Sequence, residues 1–189
     1  MEAATVPLPA PAASPPAFSP EALAALPRSL ALPVAGMAVF GFALRSTVER
    51  DLPGLQHLAW SALLPATLIL AWLVCLPALF IFLVAREQQA TLGLCARATL
   101  EALKIAGFGL ASTAPMLWFF AVTAPHSHIL QPLGLALTAF ALMAGGSAFA
   151  GVFREAGVAL SSRARLGHLA LVALVFVRFA TGSGLSWLS

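Results

Sequence analysis

The stretch from Ile105 to Phe153 contains no Asp, Glu, Lys or Arg in 49 residues. One α-helix needs about 20 apolar residues to cross a hydrocarbon layer roughly 30 Å thick, so this stretch is long enough for two crossings. Near its middle, residues 124–128 are mostly polar and include a proline, which favours a short turn. The sequence therefore predicts a transmembrane hairpin.

The composition extends this prediction to the whole chain. Of its 189 residues, 60% are hydrophobic and only 9% are charged, whereas about a quarter of the residues of a soluble domain are charged. Five spans of about 20 residues with short loops nearly use up the length. We predict an all-α, polytopic integral membrane protein, a single-domain bundle of about five transmembrane helices over residues 29–189. The predicted spans cover about 30–48, 60–84, 100–122, 130–153 and 166–188.

Residues 1–28 have a different composition, with half of the fourteen prolines mixed with Ala and Ser. Such a segment is typical of an extended, polyproline-like tail. It lacks the basic n-region of a signal peptide, so we expect no cleavage. The first span that follows is short, and an interfacial helix is the alternative there.

The ten basic residues are scattered at the ends of the spans rather than gathered in one patch. This pattern indicates membrane orientation and not nucleic-acid binding. With five spans, two basic residues fall on one side, Arg45 and Arg50. Seven fall on the other, namely Arg28, Arg86, Arg97, Lys104, Arg154, Arg163 and Arg165. Because positive charge accumulates in the cytoplasm, we expect a cytoplasmic N-terminus and a periplasmic C-terminus.

Arg178 is the one charge far from both ends of a predicted span, the fifth. An unpaired Arg at a helix centre costs about 2.5 to 3.5 kcal/mol on insertion scales, so something must stabilise it. Glu49 and Asp51 are the internal acidic residues predicted on the same side, and a salt bridge to one of them is one solution. Snorkelling to the headgroups is another, and a role in transport or ligand binding is a third.

Small residues recur in the fourth span, including Gly145, Gly146, Ala150 and Gly151. Small residues spaced four apart let two membrane helices approach closely, because lipid leaves packing as the main attraction between helices. These residues are therefore predicted to lie at helix–helix contacts.

Chemical motifs are weak. His126 and His128 form an H-x-H in the turn between the third and fourth spans, and two imidazoles are candidate metal ligands. A third ligand is not near in sequence, and hydrolase, zincin or phosphate-loop motifs are absent. We predict no enzymatic activity, no cofactor and no metal, and an intramembrane enzyme or metal site stays a lesser hypothesis.

Two apolar runs, 75–82 and 111–120, resemble a pattern in small bacterial five-span membrane proteins, which often carry an actin-binding WH2 label and are distantly similar to the Yip1 family. The likeness covers about residues 34–153. It implies a five-helix fold and no catalytic residues. We expect the protein to lie in the inner membrane of a bacterium. The WH2 label is not supported, because no short basic-aliphatic motif follows an amphipathic helix.

The expected function is that of a structural or accessory subunit of a larger bacterial membrane complex. Small-residue helix faces and the proline-rich tail would contact the other subunits, and the lipid bilayer is the second partner. The alternative is a small oligomeric transporter or channel that uses Arg178 and the proline-kinked spans. The sequence does not name a small-molecule substrate.

Overall fold

The computed structural model of the protein describes residues 20–47, 54–86, 90–124, 129–158 and 160–182. These residues form five α-helices and, within the described ranges, no strand. The helices are α1 (Pro20–Ser46), α2 (Leu55–Ala85), α3 (Leu92–Thr123), α4 (Leu130–Glu155) and α5 (Ser162–Gly182). The all-α prediction is confirmed for the part of the chain that the structure describes.

Four of these helices contain segments long and apolar enough to cross a membrane. The segments are Arg28–Ser46, His57–Ala85, Leu92–Thr123 and Leu130–Glu155. The coarse prediction of an apolar, membrane-type helical bundle is confirmed. The described residues of helix α5 do not contain such a segment. Three arginines interrupt the apolar sequence of this helix.

Four helices, α1, α2, α3 and α5, begin earlier than predicted, and α1 and α3 do so by the largest margin. Helix α1 begins at Pro20, so the prediction of an extended tail through residue 28 is wrong for its last nine residues. Proline is favoured in the first turn of a helix, and the following Glu, Ala and Leu residues are strong helix formers. Helix α3 begins at Leu92 instead of near residue 100, because Thr91 caps it by accepting a hydrogen bond from the Leu94 N–H at 3.2 Å.

Close backbone approach holds α1, α3 and α4 together. Gly107 of α3 faces Pro33 of α1, where a Cβ on the glycine would fall 2.7 Å from the Pro33 carbonyl oxygen. Gly145 of α4 faces Ala102 of α3, and a Cβ there would fall 2.7 Å from the Ala102 carbonyl oxygen. Real Cβ atoms do not come this close, so only glycine permits these two crossings.

Helix α5 packs against α2 and α4 and is antiparallel to α2. Its first turns lie beside the end of α2, and Val172 and Phe176 enter the buried core. The end of α2 and the beginnings of α3 and α5 therefore lie at one end of the bundle, together with the end of α4. Helix α4 is terminated at this end by Gly157, which has a left-handed backbone conformation (φ 73°). The Val158 N–H donates a hydrogen bond to the Phe153 carbonyl oxygen at 2.9 Å.

Charged side chains at this end pair at the surface. Lys104 bonds Glu101 at 2.8 Å, as their i,i+3 spacing predicts. Arg97 is spaced i,i+4 from Glu101 and could also pair with it, but its guanidinium lies 3.8 Å from the Glu155 carboxylate of α4. The Arg97–Glu155 pair forms because α3 and α4 pack side by side, which places Glu155 near the first turns of α3.

Candidate functional site

The first turns of α5 separate two openings of the bundle surface, each of about 640 Å³. We call the first the α2–α5 cleft and the second the α4–α5 groove. Both volumes fall within the roughly 300–1,000 Å³ of small-molecule sites. Each opening is also lined by two arginines, Arg86 and Arg163 in the first and Arg154 and Arg165 in the second.

The α2–α5 cleft is polar at its mouth and apolar along its length. Arg86 at the end of α2 and Arg163 in the first turn of α5 provide the charge, and Ser161 provides a hydroxyl. The Arg86 guanidinium lies over the Phe82 ring at 5.2 Å, so the apolar wall holds it in place. The lining consists of Ala78, Leu79, Phe82, Arg86, Ser161, Arg163, Ala164, Gly167, His168 and Leu171.

His168 is the one buried polar residue in this lining. Its side chain is only 7% exposed, and its Nε2 has no hydrogen-bond partner among the described residues. The imidazole stacks on Phe149 of α4, with ring centroids 5.0 Å apart and planes at 18°. Trp72 of α2 meets it edge-on at 5.6 Å. Aromatic rings from two helices thus hold the imidazole in place, while its Nε2 lacks a hydrogen-bond partner among the described residues.

The N-terminus of α5 adds partial positive charge at the mouth of the α2–α5 cleft. Ser161 caps the helix by accepting a hydrogen bond from the Ala164 N–H at 3.2 Å. A helix N-terminus carries partial positive charge, and two arginines lie beside it. The described residues that line the cleft include no carboxylate. Glu87, which follows Arg86 in the sequence, lies outside the described residues. The mouth of the cleft is suited to an anionic group.

The α4–α5 groove lies on the opposite side of α5 and is lined mainly by small residues. Ser147, Ala150 and Gly151 of α4 form its floor, and Arg154 and Arg165 flank it. A Cβ added at Gly151 would meet nothing within 4 Å. This small-residue face of α4 is therefore open.

The four predicted helix-packing residues have different surroundings. Gly145 lies against α3 and Gly146 lies against Leu169 of α5, where a Cβ would fall 2.6 Å from both Leu169 Cδ atoms. Ala150 and Gly151 instead line the α4–α5 groove. Two of the four residues are used within this chain, and the other two face outward.

Of the remaining predicted site residues, the structure describes one, Arg178. Arg178 lies on the exposed side of α5, ten residues beyond His168 and about 15 Å further along the helix. Its predicted partners Glu49 and Asp51 lie outside the described residues, as do His126 and His128. Within the described ranges, no three His, Cys, Asp or Glu side chains come together as a metal site. Cys75 and Cys95 are both buried and free.

Neither a protein-family model, nor a curated protein, nor a solved structure matches this chain. The resemblance to small bacterial five-span proteins and to the Yip1 family therefore stays a prediction, and so does the bacterial origin.

His168 and its two aromatic neighbours were not singled out by sequence reasoning. The available signal was a histidine within an otherwise apolar helix, five residues after Arg163 and near the predicted membrane surface. Which residues surround that imidazole depends on how α2, α4 and α5 cross, and helix periodicity does not encode those crossings.

Proposed function

We propose that the protein is a non-enzymatic structural or accessory subunit of a larger membrane complex. One observation carries the proposal: Ser147 and Gly151, spaced four residues apart on α4, form an open small-residue face. Small-xxx-small faces of this kind are where transmembrane helices associate. The occupant we propose for the α4–α5 groove is a transmembrane helix of another subunit.

The charges around the groove define this partner further. Arg154 and Arg165 lie at the end of the groove where α4 ends and α5 begins. A partner helix with an acidic residue at its own membrane boundary would complement them, since opposite charges select partner and register. The small floor would supply close packing, and the arginines would supply orientation.

We further propose five spans, a cytoplasmic N-terminus and a periplasmic C-terminus in an inner membrane. The 21 residues of α5 span about 31 Å, which matches the hydrocarbon thickness. The distribution of basic residues along the sequence, seven on the predicted N-terminal side against Arg45 and Arg50 on the other, supports this orientation. Helix α5 would carry its first two arginines at the cytoplasmic surface and Arg178 toward the periplasmic one.

Extraction from the native membrane in mild detergent, followed by native mass measurement, tests the subunit proposal. We expect the chain to copurify with another membrane protein, and Gly151→Leu to abolish that association by filling the groove. Ala35→Leu, which introduces the same side chain at an exposed position of α1, is the matched control and should leave the complex intact. A lone monomer from the wild type, or equal loss from both variants, would contradict the proposal.

The alternative function is that of a small oligomeric transporter or channel. The observation that favours it is the exposed position of Arg178 on α5, a charge on a helix that also borders both openings. Reconstitution into liposomes separates the two functions. Substrate-dependent flux that Arg178→Leu removes would favour transport over the subunit role.

A further inference from the structure

We propose that the α2–α5 cleft is a binding site for an anionic glycerophospholipid, with the phosphate between Arg86 and Arg163 and an acyl chain along the apolar wall. This inference is independent of the subunit function, which depends on the other side of α5. Three observations support it: the distribution of charge, the depth of the apolar wall and the buried imidazole.

The charge distribution selects the headgroup. Both arginines lie at helix ends that border the cleft mouth, beside the N-terminus of α5 and the Ser161 hydroxyl. Guanidinium groups bind phosphate oxygens through paired, charge-assisted hydrogen bonds, and a helix N-terminus favours the same charge. An anionic phosphate is therefore the group that complements the mouth.

The depth of the wall selects a lipid over a free anion. Ala78 precedes Arg86 by eight residues and Leu171 follows Arg163 by eight, so each helix extends the lining about 12 Å from the charged mouth. Apart from His168, the residues along this distance are small or apolar. A free phosphate would leave this surface uncovered, whereas an acyl chain would cover it.

His168 provides the third observation, because it is 93% buried within this lining and its Nε2 has no partner in the described part of the chain. A buried polar atom without a hydrogen bond is destabilising, so it marks a place where a ligand group is expected. His168 is five residues, about 7.5 Å, beyond Arg163 along α5. This is the level of the glycerol esters, whose carbonyl oxygen would accept a hydrogen bond from Nε2–H once the imidazole, whose Nε2 is itself buried, turns toward the cleft.

Native mass spectrometry of the full chain in neutral detergent tests the site, with phosphatidylglycerol, phosphatidylcholine and inorganic phosphate as separate probes. We expect one phosphatidylglycerol per chain, bound about tenfold more tightly than phosphatidylcholine of the same acyl chains. Inorganic phosphate should neither bind at the same concentration nor displace the lipid. Equal affinity for the two lipids, or saturation by phosphate alone, would overturn the proposal.

Substitutions locate the binding. Arg86→Gln and Arg163→Gln are exposed changes that should each weaken phosphatidylglycerol binding about tenfold. Arg165→Gln, two residues away on the side of the α4–α5 groove, is the matched control and should leave the affinity unchanged. His168→Phe should weaken binding about fivefold while the ring stack is kept. An equal loss from Arg165→Gln would show general charge attraction and contradict the assigned site.

Discussion

Pro33 of α1 lies directly against Gly107 of α3, so that a Cβ on the glycine would fall 2.6 Å from the Pro33 Cβ. A prolyl ring and a glycine thus let two membrane helices cross with their backbones almost in contact. Because the atoms in the way include backbone, the crossing has no flexible side chain that could move aside.

Gly107→Ala is therefore expected to destabilise the bundle by about 1–3 kcal/mol, the usual cost of overpacking. Gly145→Ala should have a similar effect, since its Cβ would meet the Ala102 carbonyl oxygen. Gly151→Ala is the matched control on α4 and should cause no loss, because its Cβ has open space. Thermal unfolding in detergent micelles measures all three, and a Gly151 variant as unstable as the Gly107 variant would contradict this packing.

His168 is expected to cost stability in the absence of ligand. His168→Phe keeps the stack on Phe149 and removes an unpaired buried nitrogen, so the variant should unfold at the same or a higher temperature than wild type. His168→Ala should lose about 2 kcal/mol because it leaves a cavity beside Trp72. Stability measured in lipid-free detergent decides between these results, and a Phe variant as unstable as the Ala variant would rule out the unpaired-nitrogen argument.

The proposed orientation predicts a clear labelling pattern for two exposed positions. Ser162→Cys at the start of α5 should stay unlabelled by an impermeant thiol reagent added to intact cells, and Ala124→Cys at the end of α3 should be labelled. The native Cys75 and Cys95 are buried, at 1% and 0% exposure, so they should give little background. Labelling of position 162 but not 124 would reverse the orientation.

Arg178→Leu is expected to leave membrane insertion intact and to weaken assembly or activity. Arg178→Lys should be tolerated if the side chain reaches the headgroups, since a lysine snorkels equally well. Complex recovery and thermal stability are the measurements. If the leucine variant equals wild type in both measurements, Arg178 only extends to the headgroups, and the predicted salt bridge to Glu49 or Asp51 is contradicted.

The sequence was sufficient to predict the helical, membrane-type class, because uncharged runs such as 105–153 leave few other folds. It placed helix starts poorly where polar and apolar residues share one helix, as in the first turns of α3. It also could not tell that Gly145 would be buried against α3 while Gly151 stays open, since both belong to the same small-residue pattern. Helix pairing depends on crossings between distant segments, and a local pattern carries no record of them.

The central claim is that the small-residue face of α4 receives a helix of another subunit. Placing a photo-crosslinking amino acid at position 147 in the native membrane tests it most directly, with position 81, exposed on α2 outside both openings, as the control. We predict a single crosslinked adduct with another membrane protein from position 147, lost in the Gly151→Leu background, and none from position 81. Lipid adducts alone at position 147, or the same protein adduct from both positions, would contradict the account.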